Sequence, residues 1–401
     1  MSLSVQLLAT ALRSIVAGVC ALGIWNSLNM ARADFLFRQD TAQSVRSAIG
    51  LEPDAAPYYM RLAQLDENHG PELLEAALRL NRYNARAAIE LGLRYEAQGD
   101  YNRAEKLLLQ AFAVDRTYLP RWSLANFYLR RNNIPAFWIW AHRSAEMPSD
   151  DVGALFALCW RVSPDPERIT AMVLNDDPQL NAQYLRFLLE NDRTRAAAGT
   201  ALRLVRFGKP ETDRSLVFTV VDRLITAGEP IAALALWQEL VHQGWVVADA
   251  TIPNNADFAR DPLPIGFDWA VASYSGLRSI LGPSGLETEF LGVQPEDCSI
   301  AEQTLVLTPG NYTAKYSYFT ADILPATGIR WQIIDAESGA VIANSPDLSS
   351  NALTHSAFEF SVAPGSSLLR LRLSYHRAPG TTRIEGTLVV QSIQIEARKL
   401  A

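Results

Sequence analysis

The chain has few cysteines and no histidine or cysteine set at metal-ligand spacing. Only three cysteines occur in 401 residues, with Cys20 in an apolar N-terminal stretch and Cys159 and Cys298 far apart. This spacing excludes a disulfide framework and a zinc site of the usual pattern. We expect Cys159 and Cys298 to be buried free thiols; the alternative is a bond between them, which requires their two regions to touch.

The sequence also lacks the motifs that carry catalysis or bind phosphate. It contains no G-x-S-x-G elbow, no phosphate-cradling glycine loop and no H-E-x-x-H. Adjacent carboxylates such as Asp150-Asp151 and Asp176-Asp177 stand in polar contexts typical of helix caps and solvated turns. We therefore expect a protein that is not an enzyme, with no cofactor and no metal. A net charge of −7 without a Lys/Arg block gives no basis for nucleic-acid binding.

A largely apolar segment begins the chain. The run from Ile15 to Trp25 is uninterrupted, and extending it back to Leu7 approaches the length of a membrane-spanning helix but encloses Arg13. Arg13 is alternatively the basic end of a secretory signal, with Ala31-Arg32-Ala33 as its cleavage site. A buried first helix of a cytoplasmic protein is the third interpretation.

Both of the first two hypotheses place residues 34–401 outside the cytoplasm. We favour a signal-anchor over residues 1–33, because the gap between the apolar core and Ala33 is long. The expected location is the cell envelope, with the chain anchored in the inner membrane and its bulk periplasmic or otherwise extracytoplasmic. Secretion after signal cleavage is the alternative.

Alanine returns at a fixed interval after the leader. Ala77, Ala111 and Ala145 are each 34 residues apart, which is the length of one helix–turn–helix repeat. Such a repeat cannot bury its apolar face alone, so neighbouring units must stack into a curved scaffold with a binding surface.

Residues 81–148 resemble the tetratricopeptide repeat (TPR). Leu91-Gly92 and Tyr95 stand where that repeat places Leu-Gly and Tyr, and Ala104 stands at the small position of its second helix. Gly99-Asp100 supplies the turn between the two helices. Arg116 occupies a position where proline is usual, so the next turn must close in another way. Small side chains at Gly92 and Ala104 predict a close approach of the helices.

Helical spacing of apolar residues continues to about residue 245. Before the clearest repeat, Pro57 and Pro71 each open a short predicted helix, in keeping with the preference for proline in the first turn. We predict a TPR-like α-helical superhelix over 34–248, in which the later helices are degenerate repeats or a helical cap. An unrelated helical bundle is the alternative.

The resemblance implies a concave groove lined by the first helix of each unit. Since arginine and aromatic anchors dominate interfaces, we expect a protein partner here, such as an extended peptide or an acidic chain. The alternative is that Phe127 packs between helices and that both arginines are merely solvated. Carried over position by position, the predicted groove residues are Arg86, Ile89, Leu93 and Glu96 from one repeat and Ser123, Phe127 and Arg130 from the next.

The apolar period changes from helical to two after about residue 250. Residues 249–261, rich in Asp, Asn and Pro, predict a linker or surface loops. Beyond them, Phe358 to Val362 and Leu369 to Tyr375 alternate as strands do. About eight short strands separated by turn residues predict an antiparallel β-sandwich over 262–401.

This second half resembles the jelly-roll modules of the galactose-binding-like and carbohydrate-binding type. The resemblance lies in Gly266-Phe-Asp-Trp269, in the strand–turn–strand from Leu305 to Tyr318, and in the last strand from Gly386 to Ile395. It implies a carbohydrate ligand stacked on exposed aromatic rings. In many such modules an Asp near the position of Gln391 helps to hold a structural calcium, and the glutamine here departs from that pattern.

The aromatic residues of this half are the sugar-stacking candidates. Trp331 alternates with polar neighbours and Tyr375 continues an apolar face, so we predict both in the core. Near strand ends, Tyr274 and His376 have no packing explanation, and they are the candidate carbohydrate-binding residues. The other aromatic candidates are Trp269, Tyr316 and Tyr318.

Together these features predict a non-catalytic scaffold with three parts: an N-terminal apolar helix, a TPR-like superhelix and a C-terminal jelly-roll sandwich. The layout resembles the accessory proteins of bacterial exopolysaccharide assembly and secretion, in which helical repeats organise export. On that hypothesis the superhelix docks a protein and the sandwich contacts polysaccharide or another protein. One alternative is a pure protein–protein adaptor whose sandwich is a structural cap. A second is a carbohydrate-active enzyme with a binding module.

Overall fold

The computed structural model describes residues 3–147, 152–324 and 326–398, with side chains from residue 12 onward. Its contacts divide it into two compact units: one reaches Ser163 and includes Ala171–Val173, and the other comprises Pro164–Thr170 and Leu174 onward. The carboxylate pair Asp150-Asp151 lies outside the described residues.

The first unit is entirely helical in its described part. Its successive helices are short and joined by tight turns, apart from a long first helix. They are α1 (Leu3–Phe37), α2 (Ala42–Leu51), α3 (Ala56–Leu65), α4 (Gly70–Leu80), α5 (Ala85–Ala97), α6 (Tyr101–Val114), α7 (Tyr118–Arg130), α8 (Ile134–Ala145) and α9 (Gly153–Val162).

Helix α1 confirms the apolar N-terminal helix. Its part from Leu12 to Phe37 has a mean hydropathy of 1.4 and is long and apolar enough to cross a membrane. The large apolar side chains from Leu12 to Leu28 are exposed, so over that length the helix packs against none of the other described residues. The last turn differs: Ala33 is fully buried against Val45 and Tyr58 of α2 and α3.

The clearest repeat folds as its small residues predict. A Cβ added to Gly92 on α5 would lie 3.2 Å from the carbonyl oxygen of Ala104 and 3.3 Å from Cγ of Leu108, both on α6. Gly99 adopts φ +84°, and the Asp100 side chain caps α6. After α6, where proline is absent, Asp115 Oδ1 accepts a hydrogen bond of 2.9 Å from the Thr117 amide and closes the turn.

Repeat-length contacts continue into the second unit. Arg223 Nη1 donates to the Leu189 carbonyl oxygen at 2.7 Å, and Arg195 Nε donates to Glu229 Oε1 at 2.9 Å; both pairs are 34 residues apart. This recurring interval supports degenerate repeats over an unrelated bundle. The helices after α9 are α10 (Pro166–Ile169), which runs into a π-helical turn (Thr170–Leu174), then α11 (Pro178–Glu190), α12 (Thr194–Phe207), α13 (Pro210–Thr226) and α14 (Pro230–His242).

The predicted β-sandwich is confirmed as two antiparallel sheets. The sheets have the orders β1-β4-β9-β6-β7 and β2-β3-β10-β5-β8, so the described residues form ten strands where about eight were expected. The strands are β1 (Ala270–Val271), β2 (Leu277–Gly282), β3 (Gly285–Leu291), β4 (Asp297–Val306), β5 (Gly310–Ala321), β6 (Ile329–Asp335), β7 (Val341–Asn344), β8 (Thr354–Val362), β9 (Leu368–His376) and β10 (Glu385–Ala397).

The segment before the first strand is bonded to the sandwich. Phe258 is 1% exposed and belongs to the sandwich core. The amides of Ile393 and Ile395 on β10 donate to the carbonyl oxygens of Ala256 and Ile252, at 2.8 and 2.6 Å. Residues 249–261, irregular in sequence, therefore complete the sandwich both in its core and along its last strand.

The sandwich also packs against the last helices of its own unit. The Gly266 amide donates to Asp222 Oδ1 on α13 at 2.8 Å. Gly266 has φ +57°, and a Cβ there would lie 2.8 Å from the ring of Trp237 on α14. The Trp237 and Phe267 rings meet edge to face at 5.9 Å. We call this contact of α13 and α14 with residues 266–267 the Gly266 seam.

Candidate functional site

The predicted groove residues divide by exposure. Arg86, Leu93 and Arg130 are exposed, and Glu96 is half-buried. The other three predicted residues are buried: Ile89 is 7% exposed, Ser123 7% and Phe127 3%. The four accessible residues lie on α5 and α7, whereas the buried three are closed to a ligand.

Phe127 is buried, only 3% exposed, and therefore does not face an open groove. Its ring contacts Tyr128 edge to face at 5.3 Å. Ser123 Oγ donates back to the Leu119 carbonyl oxygen of its own helix at 2.9 Å. Neither side chain is free for a ligand.

Arg130 and Glu96 are joined directly. Arg130 Nε and Nη2 each donate to a carboxylate oxygen of Glu96 at 2.7 Å, which is a bidentate pair. The two residues occupy the same repeat position, 34 residues apart. The charge of Arg130 is therefore matched within the chain. Arg86, the other predicted groove cation, forms no ion pair and no side-chain hydrogen bond among the described residues.

A cavity of about 390 Å³ lies beside this ion pair. Leu93, which is 41% exposed, contributes apolar surface, and the Arg131 guanidinium stacks 3.5 Å from the ring centroid of Tyr101. We call this site the α5–α7 groove. Its lining residues are Leu93, Glu96, Ala97, Tyr101, Arg130 and Arg131.

Sequence analysis missed Tyr101 and Arg131 in this groove. Tyr101 is the first residue of α6, and Arg131 follows the last residue of α7. Neither stands at a first-helix position of the repeat, where the predicted groove residues lie. The two residues are 30 apart, which is not the repeat interval of 34, so no periodic signal in the sequence indicated their contact.

Most aromatic candidates of the sandwich belong to its core. Trp331 and Tyr375 are fully buried, as the alternation predicts, and Trp269 is fully buried too. Tyr316 and Tyr318 are 4% and 6% exposed and stack on each other. These five rings cannot stack on a sugar in this conformation.

Tyr274 and His376 are both exposed, as the absence of a packing explanation predicts. Tyr274, between β1 and β2, is 38% exposed. His376 ends β9, and its Nδ1 lies 3.5 Å from Asp297 Oδ2. No hydrogen bond joins the two side chains in the described part of the chain, so the structure does not unite them in one site.

Arg377, the residue after His376, lines a larger pocket at one end of the sandwich. This end pocket has a volume of about 990 Å³ and lies among the β3–β4, β5–β6 and β9–β10 connections. Glu296 Oε2 and Oε1 bind Arg377 Nη2 at 3.0 Å and Arg383 Nη2 at 3.3 Å. The Arg377 hydrogen bond, with Arg383 adding to it, lowers the pKa of Glu296. Asp322, Leu324 and Glu385 also line the pocket.

The buried cysteines are free thiols, as expected. Cys159 lies in the first unit and Cys298 in the second. Burial raises the pKa of Cys159 to about 12 and that of Cys298 to about 11. Both are therefore protonated near neutral pH, and a protonated thiol is a poor nucleophile.

Asp177 caps a helix, and its neighbour Asp176 forms an ion pair. Asp177 Oδ1 accepts hydrogen bonds from the amides of Gln179 and Leu180 at the start of α11. Asp176 pairs with Arg203 at 2.5 Å. Among the described residues no group of three or more His, Cys, Asp or Glu side chains is arranged to hold a metal ion.

No protein-family model matches this chain, and no curated protein sequence matches it. Solved structures similar to it include TPR proteins and carbohydrate-binding modules. One, described as "CBM4 structure and function", is 12% identical with a TM-score of 0.29, over 36% of this chain and 99% of that one. Another is YrrB, described as a TPR protein with an unusual peptide-binding site: 13% identical, TM-score 0.26, over 51% of this chain and 93% of that one.

A third similar structure is PilW, described as a widely conserved type IV pilus biogenesis factor. It is 12% identical with a TM-score of 0.26, over 54% of this chain and 92% of that one. At these identities and scores the likenesses carry no argument about function. The stacked helix pairs and the two sheets described above define the architecture by themselves.

Proposed function

We propose that this protein is a non-catalytic, membrane-anchored scaffold of the cell envelope. Helix α1 crosses the inner membrane, and the bulk of the chain lies outside the cytoplasm. The α5–α7 groove binds a protein partner, and the sandwich binds carbohydrate during the assembly or secretion of an exopolysaccharide. The α5–α7 groove is the observation that carries this proposal.

The groove offers an apolar contact and a stacked cation side by side. Leu93 is exposed on α5, and the Arg131 guanidinium covers the Tyr101 ring. Stacking holds the guanidinium in place, so that little side-chain entropy is lost when a ligand carbonyl or carboxylate binds its free edge. The Glu96–Arg130 pair next to it supplies both charges. A peptide with an apolar side chain and a neighbouring acceptor suits this arrangement.

Affinity purification of the full-length protein from detergent-solubilised membranes tests the groove. A Leu93→Asp variant places a charge on the apolar contact and should lose the partner that the wild type retains. Phe207→Asp is the matched control, because Phe207 is also exposed (48%) but lies at the end of α12. Equal recovery of every co-purifying protein by wild type and Leu93→Asp would exclude the groove as the docking site.

The end pocket and His376 support the carbohydrate part of the proposal. The pocket combines cations and carboxylates with exposed backbone turns, which suits a sugar with many hydroxyl groups or with an acidic substituent. His376 is next in sequence to Arg377, which lines the pocket. The full-length protein in neutral-lipid nanodiscs should bind polysaccharide from the same cells in affinity electrophoresis. His376→Ala together with Arg383→Ala should weaken that binding, whereas Arg278→Ala, an exposed change on β2, should not.

A pure adaptor is the second candidate, and the Gly266 seam favours it. The sandwich packs on α13 and α14, so it is placed to cap the apolar end of the repeats, which solenoids require for solubility. Polysaccharide binding separates the two candidates. Retained partner protein without any retained glycan would favour the adaptor. Turnover of a polysaccharide by the pure protein would instead revive the enzyme alternative.

A further inference from the structure

A second groove lies on the opposite face of α5. Leu91 and Tyr95 form its floor, whereas Leu93 and Ala97 belong to the α5–α7 groove. On a helix that turns about 100° per residue, these two pairs project to opposite sides. The walls of the second groove come from α4 and α6, and its volume is about 560 Å³. We call it the α4–α6 groove.

The walls of the α4–α6 groove are basic. Arg79 stands on α4, and Arg103 and Lys106 stand on α6; all three are exposed. Within the described residues, neither Arg79 nor Lys106 has an ion pair or a hydrogen bond from its side chain. The protein as a whole carries a net charge of −7, so this local excess of cations runs against the overall charge.

The one carboxylate of the groove is already engaged. Glu75 Oε1 accepts a hydrogen bond of 2.6 Å from the Tyr95 hydroxyl, and this bond raises the pKa of Tyr95. The Arg103 guanidinium lies 5.4 Å from the centroid of the Tyr95 ring. Glu75 thus fixes the Tyr95 ring on the floor. Arg103 pairs with Asp100 at 3.3 Å, so Arg79 and Lys106 are the wall cations left for an incoming anion.

The groove is apolar between its charged walls. Leu78 and Leu107 line the sides, and Leu91, 2% exposed, lies at the bottom. A flat bilayer surface makes contact with side chains that protrude, and it cannot reach a floor recessed between two helices. A protein segment can place one side chain there while its neighbours meet the walls.

We propose that the α4–α6 groove docks an acidic protein segment that places one leucine- or phenylalanine-sized side chain on Leu91 and its flanking carboxylates on Arg79 and Lys106. The positive charge of the walls favours the carboxylates of the segment, and the leucine side chains of the groove favour its apolar residue. This contact is separate from the α5–α7 groove, so a single repeat pair holds two partners or two segments of one partner.

Fluorescence anisotropy with a labelled peptide tests this proposal. The full-length protein in neutral-lipid nanodiscs is titrated into fluorescein-labelled Asp-Glu-Leu-Glu-Asp. Two control peptides each remove one feature: Asp-Glu-Gly-Glu-Asp lacks the apolar side chain, and Lys-Arg-Leu-Lys-Arg reverses the charge. We expect binding of the first peptide to be about tenfold or more tighter than that of either control, and to weaken as salt is added.

Charge reversal in the protein tests whether the basic wall residues bind the carboxylates of the peptide. Arg79→Glu with Lys106→Glu should weaken the acidic peptide about tenfold or more, with an unchanged circular dichroism spectrum. Arg116→Glu is the matched control, since Arg116 is exposed on a turn outside the groove. Should the double reversal unfold the protein, Arg79→Gln with Lys106→Gln replaces it.

Three outcomes would overturn the proposal. The first is equal affinity for all three peptides. The second is an equal effect of the groove reversal and of Arg116→Glu. The third is tight association with nanodiscs of anionic lipid that depends on Arg79 and Lys106, while the peptide does not bind. Leu93→Asp, which disables only the α5–α7 groove, should leave the peptide affinity unchanged.

Discussion

The backbone amide of Gly266 donates a hydrogen bond of 2.8 Å to Oδ1 of Asp222. Gly266 precedes the first strand of the sandwich, and Asp222 lies on α13. The bond joins a helical region, whose apolar residues recur about every 3.6 residues, to a strand region, whose apolar residues alternate. It shows that the last helices and the sandwich form one packed unit.

Gly266→Ala should destabilise this unit. The new Cβ meets the Trp237 ring at 2.8 Å and sits at φ +57°. Left-handed strain costs about 1–2 kcal/mol, and overpacking adds about 1–3 kcal/mol. Gly339→Ala is the control, because Gly339 has φ +72° with open space around its Cβ position, so that only strain applies.

Urea unfolding of both variants measures the difference. The free energy of unfolding should fall further for Gly266→Ala than for Gly339→Ala. Equal losses would mean that the Gly266 seam contributes no packing, and the capping role of the sandwich would lose its structural support.

Gly92→Leu should separate the helices of the best repeat. Its Cβ would lie 3.2 Å from the Ala104 carbonyl oxygen, and backbone cannot move aside as a side chain can. We expect a loss of about 1–3 kcal/mol and a lower melting temperature. Gly50→Leu, on α2 with nothing within 4 Å of its Cβ position, should change the melting temperature little. A melting temperature that Gly92→Leu leaves unchanged would refute the close approach.

Most of the fold that could be predicted from the sequence follows from residues that recur at a fixed period. Gly92 and Ala104 stand at fixed repeat positions, so their contact was predictable. Alternation in the strands likewise predicted that Trp331 and Tyr375 are buried, because the side-chain period of a strand admits only two faces.

Contacts that depend on the geometry of turns could not be predicted from the sequence. Tyr101 and Arg131 meet only because two helix ends converge, and no period connects them. Phe258 lies in an irregular segment with φ +56°, so that nothing in its neighbourhood indicates a core position. The Gly266 seam was hidden for the same reason: a glycine in a loop gives no sign of which ring lies over it.

Stability should depend on Asp335 at low pH. Hydrogen bonds, first from the Ser366 hydroxyl and then from Ser338, lower the pKa of Asp335 to about 2. The unfolded chain has a value of about 3.9. Because the folded value is the lower one, the contribution of Asp335 is present above about pH 4 and is lost as the pH falls towards 2.

Melting temperatures of wild type and Asp335→Asn between pH 6 and pH 2 test this dependence. The gap between the two proteins should be widest above about pH 4 and should close towards pH 2. Glu337→Gln, an exposed change in the same turn, controls for the altered net charge. A gap that stays constant over the whole range would show that the carboxylate charge is not what stabilises the turn.

Removal of α1 in two lengths should separate anchoring from packing. Deletion of residues 1–33 should free the protein from carbonate-washed membranes. Deletion of residues 1–37 also removes the Phe37 ring, whose centroid lies 4.8 Å from that of Tyr58, together with the half-buried Leu36. We expect the longer deletion to lower the free energy of unfolding by about 2 kcal/mol relative to the shorter one.

The native amino terminus distinguishes an anchor from a cleaved signal. Mass spectrometry of the protein from membranes should find the segment before Ala33 attached, since Ala33 is buried against α2 and α3. A mature chain that starts at Asp34 would instead favour the secreted alternative. Extraction of the full-length chain by carbonate would contradict anchoring altogether.

Site-specific photo-crosslinking in cells tests the docking function most directly. A photoreactive amino acid is placed at Leu93 in the α5–α7 groove, and in a second strain at Phe207, which is exposed to a similar degree (48% against 41%) but is remote from it in sequence. The scaffold account predicts a discrete protein adduct from position 93 and none of the same mass from position 207. The same adduct from both positions, or none from position 93 in a folded, membrane-bound protein, would contradict it.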